Sequence, residues 1–119
     1  MQNNEVKKIT KLVDEVTSLL MRSGSNDIDI KIKREENLST ITIIDHTSSY
    51  PNEEIASLND VLNIQRLCEV EEFYWELMGD DSHEDELFLV GSMVDKATVN
   101  KIDNDLYIVM YRCASKCSR

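Results

Sequence analysis

Asp45 is the residue best placed for chemistry, because it follows a run of β-branched residues. Positions 40–44 read Thr-Ile-Thr-Ile-Ile, a composition typical of a pleated, half-buried strand. Asp45 is therefore predicted where a strand passes into a loop, a common position for a ligand-binding carboxylate. The loop at 46–49 has no glycine that would let a backbone approach a phosphate closely.

An acidic loop offers oxygen atoms that suit a divalent cation. Its candidate ligands are Asp80, Asp81, His83, Glu84 and Asp85. The loop does not match an EF-hand, because it lacks the central glycine and the glutamate at the twelfth position. A solvated acidic loop explains the composition more simply, so no metal site is predicted.

The three cysteines do not form a metal-binding pattern. Cys113 and Cys117 are four residues apart but have no second pair and no neighbouring histidine, which argues against zinc. An odd number of cysteines fits free thiols in a reducing compartment better than a disulfide framework. Cys68, between Leu67 and Val70 on a predicted helix, is interpreted as a packing residue.

Targeting features are not found in the sequence. Residues 1–5 lack a basic region followed by an apolar one, so no signal peptide is predicted. No apolar run approaches the ~20 residues that a membrane-spanning helix needs. Together with the cysteine content, these features predict a cytoplasmic protein with no membrane partner.

The charge balance limits the partners that the chain can bind. Its formal net charge is −10, from 13 Lys and Arg against 23 Asp and Glu. Such a surface repels nucleic-acid phosphates, so no nucleic-acid partner is expected. A merely solvated surface is the simpler explanation of this charge, and a protein partner with a basic surface is the alternative.

Hydrophobic periodicity predicts four helices and four strands. The helices are predicted at 5–23, 52–62, 66–78 and 84–94, and the strands at 27–33, 39–45, 96–101 and 106–112. Strands in antiparallel pairs with helices between them favour an α+β fold. We predict a two-layer α/β sandwich whose mostly antiparallel sheet carries its helices on one face.

The length of 119 residues fits a single domain over 1–119, with 113–119 as a flexible tail. Strand 27–33 alternates isoleucine with charged residues, which predicts one buried face and pairing with 39–45. The aromatic run at 73–75 is predicted to line the core, with a partner surface as the alternative. The predicted core consists of Val13, Val16, Leu20, Ile30, Ile43, Leu58, Leu89, Val90, Val99 and Ile108.

Three segments carry a resemblance to a known family. Residues 86–99, Glu-Leu-Phe-Leu-Val-Gly-Ser-Met-Val-Asp-Lys-Ala-Thr-Val, are similar to the last helix and following strand of histidine-kinase-like ATPases. Residues 14–18 look like that family's Glu-x-x-x-Asn motif, and the segment from Asp45 looks like its Asp-x-Gly-x-Gly motif. Over about residues 9–112 the chain resembles the small bacterial anti-sigma-factor serine kinases, without the first strand of many members.

The resemblance implies roles for three residues. Asp14 stands at the family's acidic base position, and Ser18 replaces an asparagine that binds Mg²⁺. A serine is the poorer oxygen ligand for this cation. Asp45 stands where the family's aspartate accepts a hydrogen bond from the adenine amino group. Only Asp45 is retained in both type and position.

The departures from the family pattern predict a degenerate nucleotide site. Thr47 and Ser49 replace two glycines of the third motif, and their side chains would crowd the nucleotide. The segment corresponding to the glycine-rich phosphate lid, 80–86, has no glycine and five carboxylates. Those carboxylates repel a triphosphate unless a metal intervenes. No catalytic residue is therefore predicted.

Two functions are compatible with this pattern. The first is a non-catalytic regulatory or protein-interaction domain, possibly similar to anti-sigma factors, that needs no cofactor. Residues 69–95 contain ten Asp and Glu and no Lys or Arg, a distribution that steers a basic cytosolic partner. The alternative is a residual serine or histidine protein kinase or ATPase that uses Mg-ATP. A homodimer is compatible with both.

Overall fold

Helices and strands follow one another in the predicted order. The computed structural model describes residues 4–47, 51–74 and 87–114. The elements within these ranges are α1 (Glu5–Arg22), β1 (Ile28–Arg34), β2 (Leu38–Asp45), α2 (Asn52–Leu62), α3 (Cys68–Tyr74), α4 (Leu87–Ser92), β3 (Lys96–Ile102) and β4 (Asp105–Cys113). The α+β prediction is confirmed.

The strands form a four-stranded antiparallel sheet in the order β1-β2-β4-β3. The registers place Ile30 opposite Ile43, Ile43 opposite Ile108, and Ile108 opposite Val99. One side-chain row thus crosses all four strands. The last strand in the chain is an inner strand, so it pairs with neighbours on both sides.

The core lies between one face of the sheet and the helices. Helix α1 contributes Ile9, Leu12, Val16 and Leu20, whose spacing places them on one side of a helix. The sheet contributes Ile41, Ile43, Ala97, Val99, Leu106, Ile108 and Met110. Because α1 contacts β2 and α2 contacts β3, the helices cover the middle of the sheet and its β3 side. The two-layer arrangement is therefore confirmed.

The prediction of a half-buried first strand is wrong. Residues 29–34 are all exposed, and Ile30 and Ile32 keep 45% and 42% of their surface accessible. Strand β1 lies at the edge of the sheet, beyond the helices that cover its neighbours. The alternation correctly indicates a strand, but it does not show whether a helix lies over the apolar face.

Most of the other predicted core residues are buried. Val16, Leu20, Ile43, Leu58, Val90, Val99 and Ile108 belong to the core, and Val13 and Leu89 pack against it partly buried. Phe73 is 77% exposed, so the prediction that it lines the core is wrong. Trp75 and the predicted helical residues 75–78 lie outside the described ranges, as do residues 84–86.

Gly24 follows the end of α1 in a left-handed conformation. This glycine has φ 105° and its N–H donates to the carbonyl of Met21 at 3.0 Å. The N–H of Ser25 donates to the carbonyl of Leu20 at 3.0 Å, which completes a Schellman motif. The motif turns the chain from α1 towards β1 and fixes the position of Ser25.

The end of the chain differs from the prediction in one respect. Cys113, predicted to begin a flexible tail, is the last residue of β4, and the Ala114 N–H donates to the Asn37 carbonyl at 2.7 Å. Residues 115–119 lie outside the described ranges. Cys68 is disulfide-bonded, so the expectation of free thiols is wrong for it, whereas Cys113 keeps its thiol.

Candidate functional site

The carboxylate of Asp45 is completely buried at the end of β2. Its Oδ1 accepts hydrogen bonds from the backbone N–H of Thr47 at 2.9 Å and from Thr47 Oγ1 at 3.0 Å. Its Oδ2 accepts a short hydrogen bond from Ser25 Oγ. Both carboxylate oxygens are therefore engaged by the chain's own donors.

The local fold explains why these donors converge on Asp45. The Schellman motif places Ser25 beside the end of β2, because β1 runs antiparallel to β2 and starts at Ile28. The turn after β2 brings the Thr47 N–H back to the Asp45 side chain, an arrangement typical of aspartate in turns. Thr47 Oγ1 also accepts the Asn26 N–H at 3.0 Å. The carboxylate thus joins the α1–β1 loop to the β2 turn.

Asp14 and Ser18 contact each other along α1. Asp14 is exposed, opposite the helix face formed by Leu12 and Val16, and Ser18 is half-buried. Ser18 Oγ donates to Asp14 Oδ1 at 3.2 Å, an i, i+4 contact along the helix. Among the hydrogen bonds of residues 4–47, none connects Asp14 or Ser18 to Asp45.

His46 connects the ends of three strands. Its Nε2 lies 2.8 Å from Asp29 Oδ2 on β1, and its Nδ1 lies 3.1 Å from Asp105 Oδ2 on β4. The hydrogen bond to Asp29 and then the contact with Asp105 raise the pKa of His46 above 6.5, although desolvation opposes them. When it is protonated, His46 donates a hydrogen bond at both ring nitrogens.

Sequence reasoning missed a buried ionic cluster, which we call the Arg112 cluster. It comprises Glu5, Lys8, Arg66, Glu71, Asp95 and Arg112. Arg112 Nε and Nη2 bind Glu5 at 2.7 and 2.9 Å, and Nη1 and Nη2 bind Glu71 at 3.0 and 2.7 Å. Nη1 also donates to the Met93 carbonyl at 2.8 Å. These contacts use all five guanidinium donors.

Glu71 is the second centre of the Arg112 cluster. Besides Arg112, it binds Lys8 Nζ at 2.8 Å and Arg66 Nε at 3.1 Å. Burial alone would raise the pKa of Glu71, but the hydrogen bonds and charges of these cations lower it to about 2. Burial alone would lower the pKa of Arg112, but the hydrogen bonds and charges of Glu5 and Glu71 raise it. The cluster therefore holds Glu71 and Arg112 charged and paired.

A sequence signal for the Arg112 cluster was present. Arg112 continues the inward-facing row of β4 that contains Leu106, Ile108 and Met110. Glu5 and Lys8 likewise continue the apolar stripe of α1 at its N-terminal end. Opposite charges that extend two inward-facing rows indicate a buried ion pair, because an isolated buried charge is costly.

The described residues form no metal site. Within 4–47, 51–74 and 87–114, no group of three or more His, Cys, Asp or Glu side chains is arranged to hold a metal ion. Ser49 and the acidic segment 80–86 lie outside these ranges. In the same part of the chain, no helix is long and apolar enough to span a membrane.

Comparison of the chain with protein-family models, curated proteins and solved structures found no match.

Proposed function

We propose that this chain is a non-enzymatic protein-interaction domain, built on a histidine-kinase-like ATPase scaffold whose nucleotide site has degenerated. The observation that carries the proposal is the environment of Asp45. At the position expected to contact adenine, both carboxylate oxygens accept hydrogen bonds from Ser25 and Thr47, and the side chain is fully buried.

Adenine binding would compete with these internal contacts. A base amino group would have to displace Ser25 or Thr47 and leave a partly buried donor without its acceptor. An unsatisfied buried polar group costs about 1–3 kcal/mol. Thr47 adds to this cost, because its side chain stands where the family has a glycine and forms two of the hydrogen bonds at this site.

Cation binding is also disfavoured at the positions that the family uses. Ser18 directs its hydroxyl to Asp14, and neither side chain shares a hydrogen bond with Asp45. A Mg²⁺ ion needs several well-placed oxygens in near-octahedral geometry. We therefore infer that Asp14 and Ser18 are remnants of the motif without a catalytic or cofactor-binding role.

The surface chemistry favours a basic protein partner. Helix α3 presents Glu69 and Glu72 to solvent together with Phe73, and Leu67 before it is 38% exposed. With a formal charge of −10, the chain attracts cations over a long range. An acidic surface with exposed apolar groups suits a partner that combines basic residues with an apolar anchor.

Isothermal titration with Mg-ATP tests the loss of the nucleotide site. We expect no saturable binding below about 1 mM, since three lost contacts of about 1–3 kcal/mol each move a micromolar site beyond that range. A titration with Mg²⁺ alone is the control. A dissociation constant below about 50 μM would favour the residual kinase or ATPase, with Mg-ATP as cofactor, over the interaction domain.

Affinity capture tests the choice of partner. Immobilised protein is compared with a Glu69→Gln/Phe73→Ser variant and with a control, Glu53→Gln/Glu54→Gln, that removes two exposed charges from α2. We expect the unsubstituted protein and the control to retain a basic protein at about 50 mM salt and to release it at about 500 mM salt. The α3 variant should not retain that protein. Equal retention by all three proteins would contradict α3 as the binding surface.

A further inference from the structure

The free edge of β1 is an open strand edge with a regular charge pattern. Strand β1 is the first strand of the order β1-β2-β4-β3, and residues 29–34 are exposed along its length. Its isoleucines face the helix side of the sheet, since Ile30 and Ile32 lie opposite the buried Ile43 and Ile41. The helices do not cover them.

The pattern of hydrogen bonds between β1 and β2 shows which backbone groups point to the free edge. The Asp27 carbonyl accepts the His46 N–H at 2.9 Å, and the Glu35 N–H donates to the Leu38 carbonyl at 2.8 Å. In an antiparallel ladder the bonded residues alternate, so odd-numbered residues of β1 bond to β2. The N–H and C=O groups of Ile28, Ile30, Ile32 and Arg34 consequently point away from β2.

The sequence at this edge is complementary to itself. Residues 27–33 read Asp-Ile-Asp-Ile-Lys-Ile-Lys, with acidic residues in the first half and basic residues in the second. We propose that two copies of this chain pair through antiparallel β1 edges centred on Ile30, which joins two four-stranded sheets into one continuous sheet. Each Asp27 then lies opposite Lys33 of the second copy, and each Asp29 opposite Lys31.

This register satisfies the backbone and the side chains together. It places Ile28 opposite Ile32 and Ile30 opposite Ile30, so the outward-pointing backbone groups of both strands face each other. A shift of the register by two residues keeps the outward-pointing backbone groups opposite one another. It places Lys31 opposite Lys31, or Asp29 opposite Asp29. Like charges directly opposite one another are destabilising, so the centred register is selected.

The same charges disfavour other occupants of the edge. Lysines on an edge strand commonly prevent unwanted pairing, because they repel one another in most registers. At the β1 edge, Asp27 and Asp29 offset this repulsion only when the added strand is antiparallel and carries basic residues opposite them. A pair of seven-residue strands is a small contact, so we expect a weak dimer that forms with increasing concentration.

Analytical ultracentrifugation tests the dimer and its location. We expect unsubstituted protein to dimerise between low micromolar concentrations and about 500 μM, whereas Ile30→Lys weakens association by about tenfold or more by opposing two lysines at the centre. The control is Ile102→Lys, which changes an exposed isoleucine on the other edge strand. Protein that remains monomeric throughout, or a dimer unaffected by Ile30→Lys, would overturn the proposal.

A charge exchange tests the register. Asp27→Lys opposes lysines in a homodimer, and Lys33→Asp opposes aspartates, so each variant alone is expected to associate less than unsubstituted protein. In an equimolar mixture of the two variants, positions 27 and 33 of opposing strands again carry opposite charges at both ends of the contact, so we expect heterodimers. If the mixture associates no better than the separate variants, the centred register is wrong.

Hydrogen exchange reports the same contact without substitutions. The amides of Ile28, Ile30 and Ile32 are expected to become protected as concentration rises, whereas those of Asp29 and Lys31 are already protected by β2. Concentration-independent exchange at the isoleucines under conditions where the dimer is populated would exclude β1 as the interface. These measurements are independent of ATP and of any basic partner.

Discussion

Arg112 shows how one residue connects separate parts of the chain. It lies on β4, and its side chain binds Glu5 of α1, Glu71 of α3 and the Met93 carbonyl after α4. Each carboxylate that it neutralises is itself buried. The residue therefore fixes the directions in which three helical segments approach the sheet.

Replacing Arg112 by methionine should strongly destabilise the fold. The substitution keeps much of the volume but leaves Glu5 and Glu71 with less positive charge in a buried site, which typically costs about 3–5 kcal/mol. Urea unfolding followed by circular dichroism measures the change. Arg22→Met, at an exposed position of α1, is the matched control and should stay within about 0.5 kcal/mol.

Substituting Asp45 separates a structural role from a ligand-binding one. Asp45→Ala removes the acceptor of Ser25 and Thr47, and we expect the free energy of unfolding to fall by about 1–3 kcal/mol. Asp14→Ala, at an exposed position of α1, should be close to neutral. Unchanged stability of Asp45→Ala would instead favour a carboxylate kept for a ligand.

His46 predicts a pH-dependent contact at the strand ends. Its pKa is raised in the folded protein by Asp29 and Asp105, so its stabilising contribution is complete below about 6.5, the pKa of an unperturbed histidine. That contribution is lost as pH rises through the folded pKa. An NMR titration of the His46 ring in Asp29→Asn protein should give a lower pKa than in unsubstituted protein. Equal values would contradict the contact.

The close packing of helix α4 against helix α2 depends on Gly91. A Cβ atom at this position would lie 2.1 Å from the Val61 carbonyl oxygen and 2.9 Å from Ile64 Cγ1. The first of these neighbours is backbone and cannot rotate away. Helix α4 therefore packs at a separation that only glycine permits.

Gly91→Ala is expected to destabilise the protein even though alanine is the better helix former. The clash requires α4 to move away from α2, and overpacking of this kind typically costs about 1–3 kcal/mol. Thermal unfolding measures the effect. Ser57→Ala on the exposed side of α2 is a control that adds no atoms to the contact, and a Gly91→Ala protein as stable as the unsubstituted one would disprove the close approach.

The hydrophobic pattern of the sequence correctly predicts the elements whose apolar face is covered by neighbouring elements in the fold. The apolar stripe of α1 predicts both its length and its buried face, because a single helix against a core obeys the helical period. For β1 the alternation predicts the strand but not the exposure of Ile30, since coverage depends on where distant helices lie. The inward position of Arg112 follows from the alternation of β4. Its partners, Glu5 and Glu71, lie on α1 and α3, far away in the sequence.

The whole molecule combines a strongly acidic surface with buried charged residues that form ion pairs. Lys8, Arg66 and Arg112 are neutralised inside by Glu5, Glu71 and Asp95. Those groups balance, so the formal charge of −10 arises elsewhere in the chain. Attraction of partners and stability of the core are therefore controlled by different charges.

Acid should unfold the protein through the Arg112 cluster. The pKa of Glu71 falls from 4.5 to about 2 on folding, so its contribution is complete above 4.5 and is lost as pH decreases towards 2. Urea unfolding between about pH 7 and pH 2 should show this decline, which Glu71→Gln should make shallower while lowering stability at neutral pH. Glu69→Gln, at an exposed position of α3, should keep the unsubstituted slope.

The inner position of β4 has a consequence for synthesis on the ribosome. Translation delivers β4 after every other described element, yet β4 must enter between β2 and β3 and bring Arg112 to Glu5. Until about residue 113 has left the exit tunnel, the β1–β2 hairpin lacks its third strand and α1 lacks its buried ionic partner. Such long-range closure slows folding. A nascent chain stalled at residue 104 should therefore remain sensitive to protease along its emerged length.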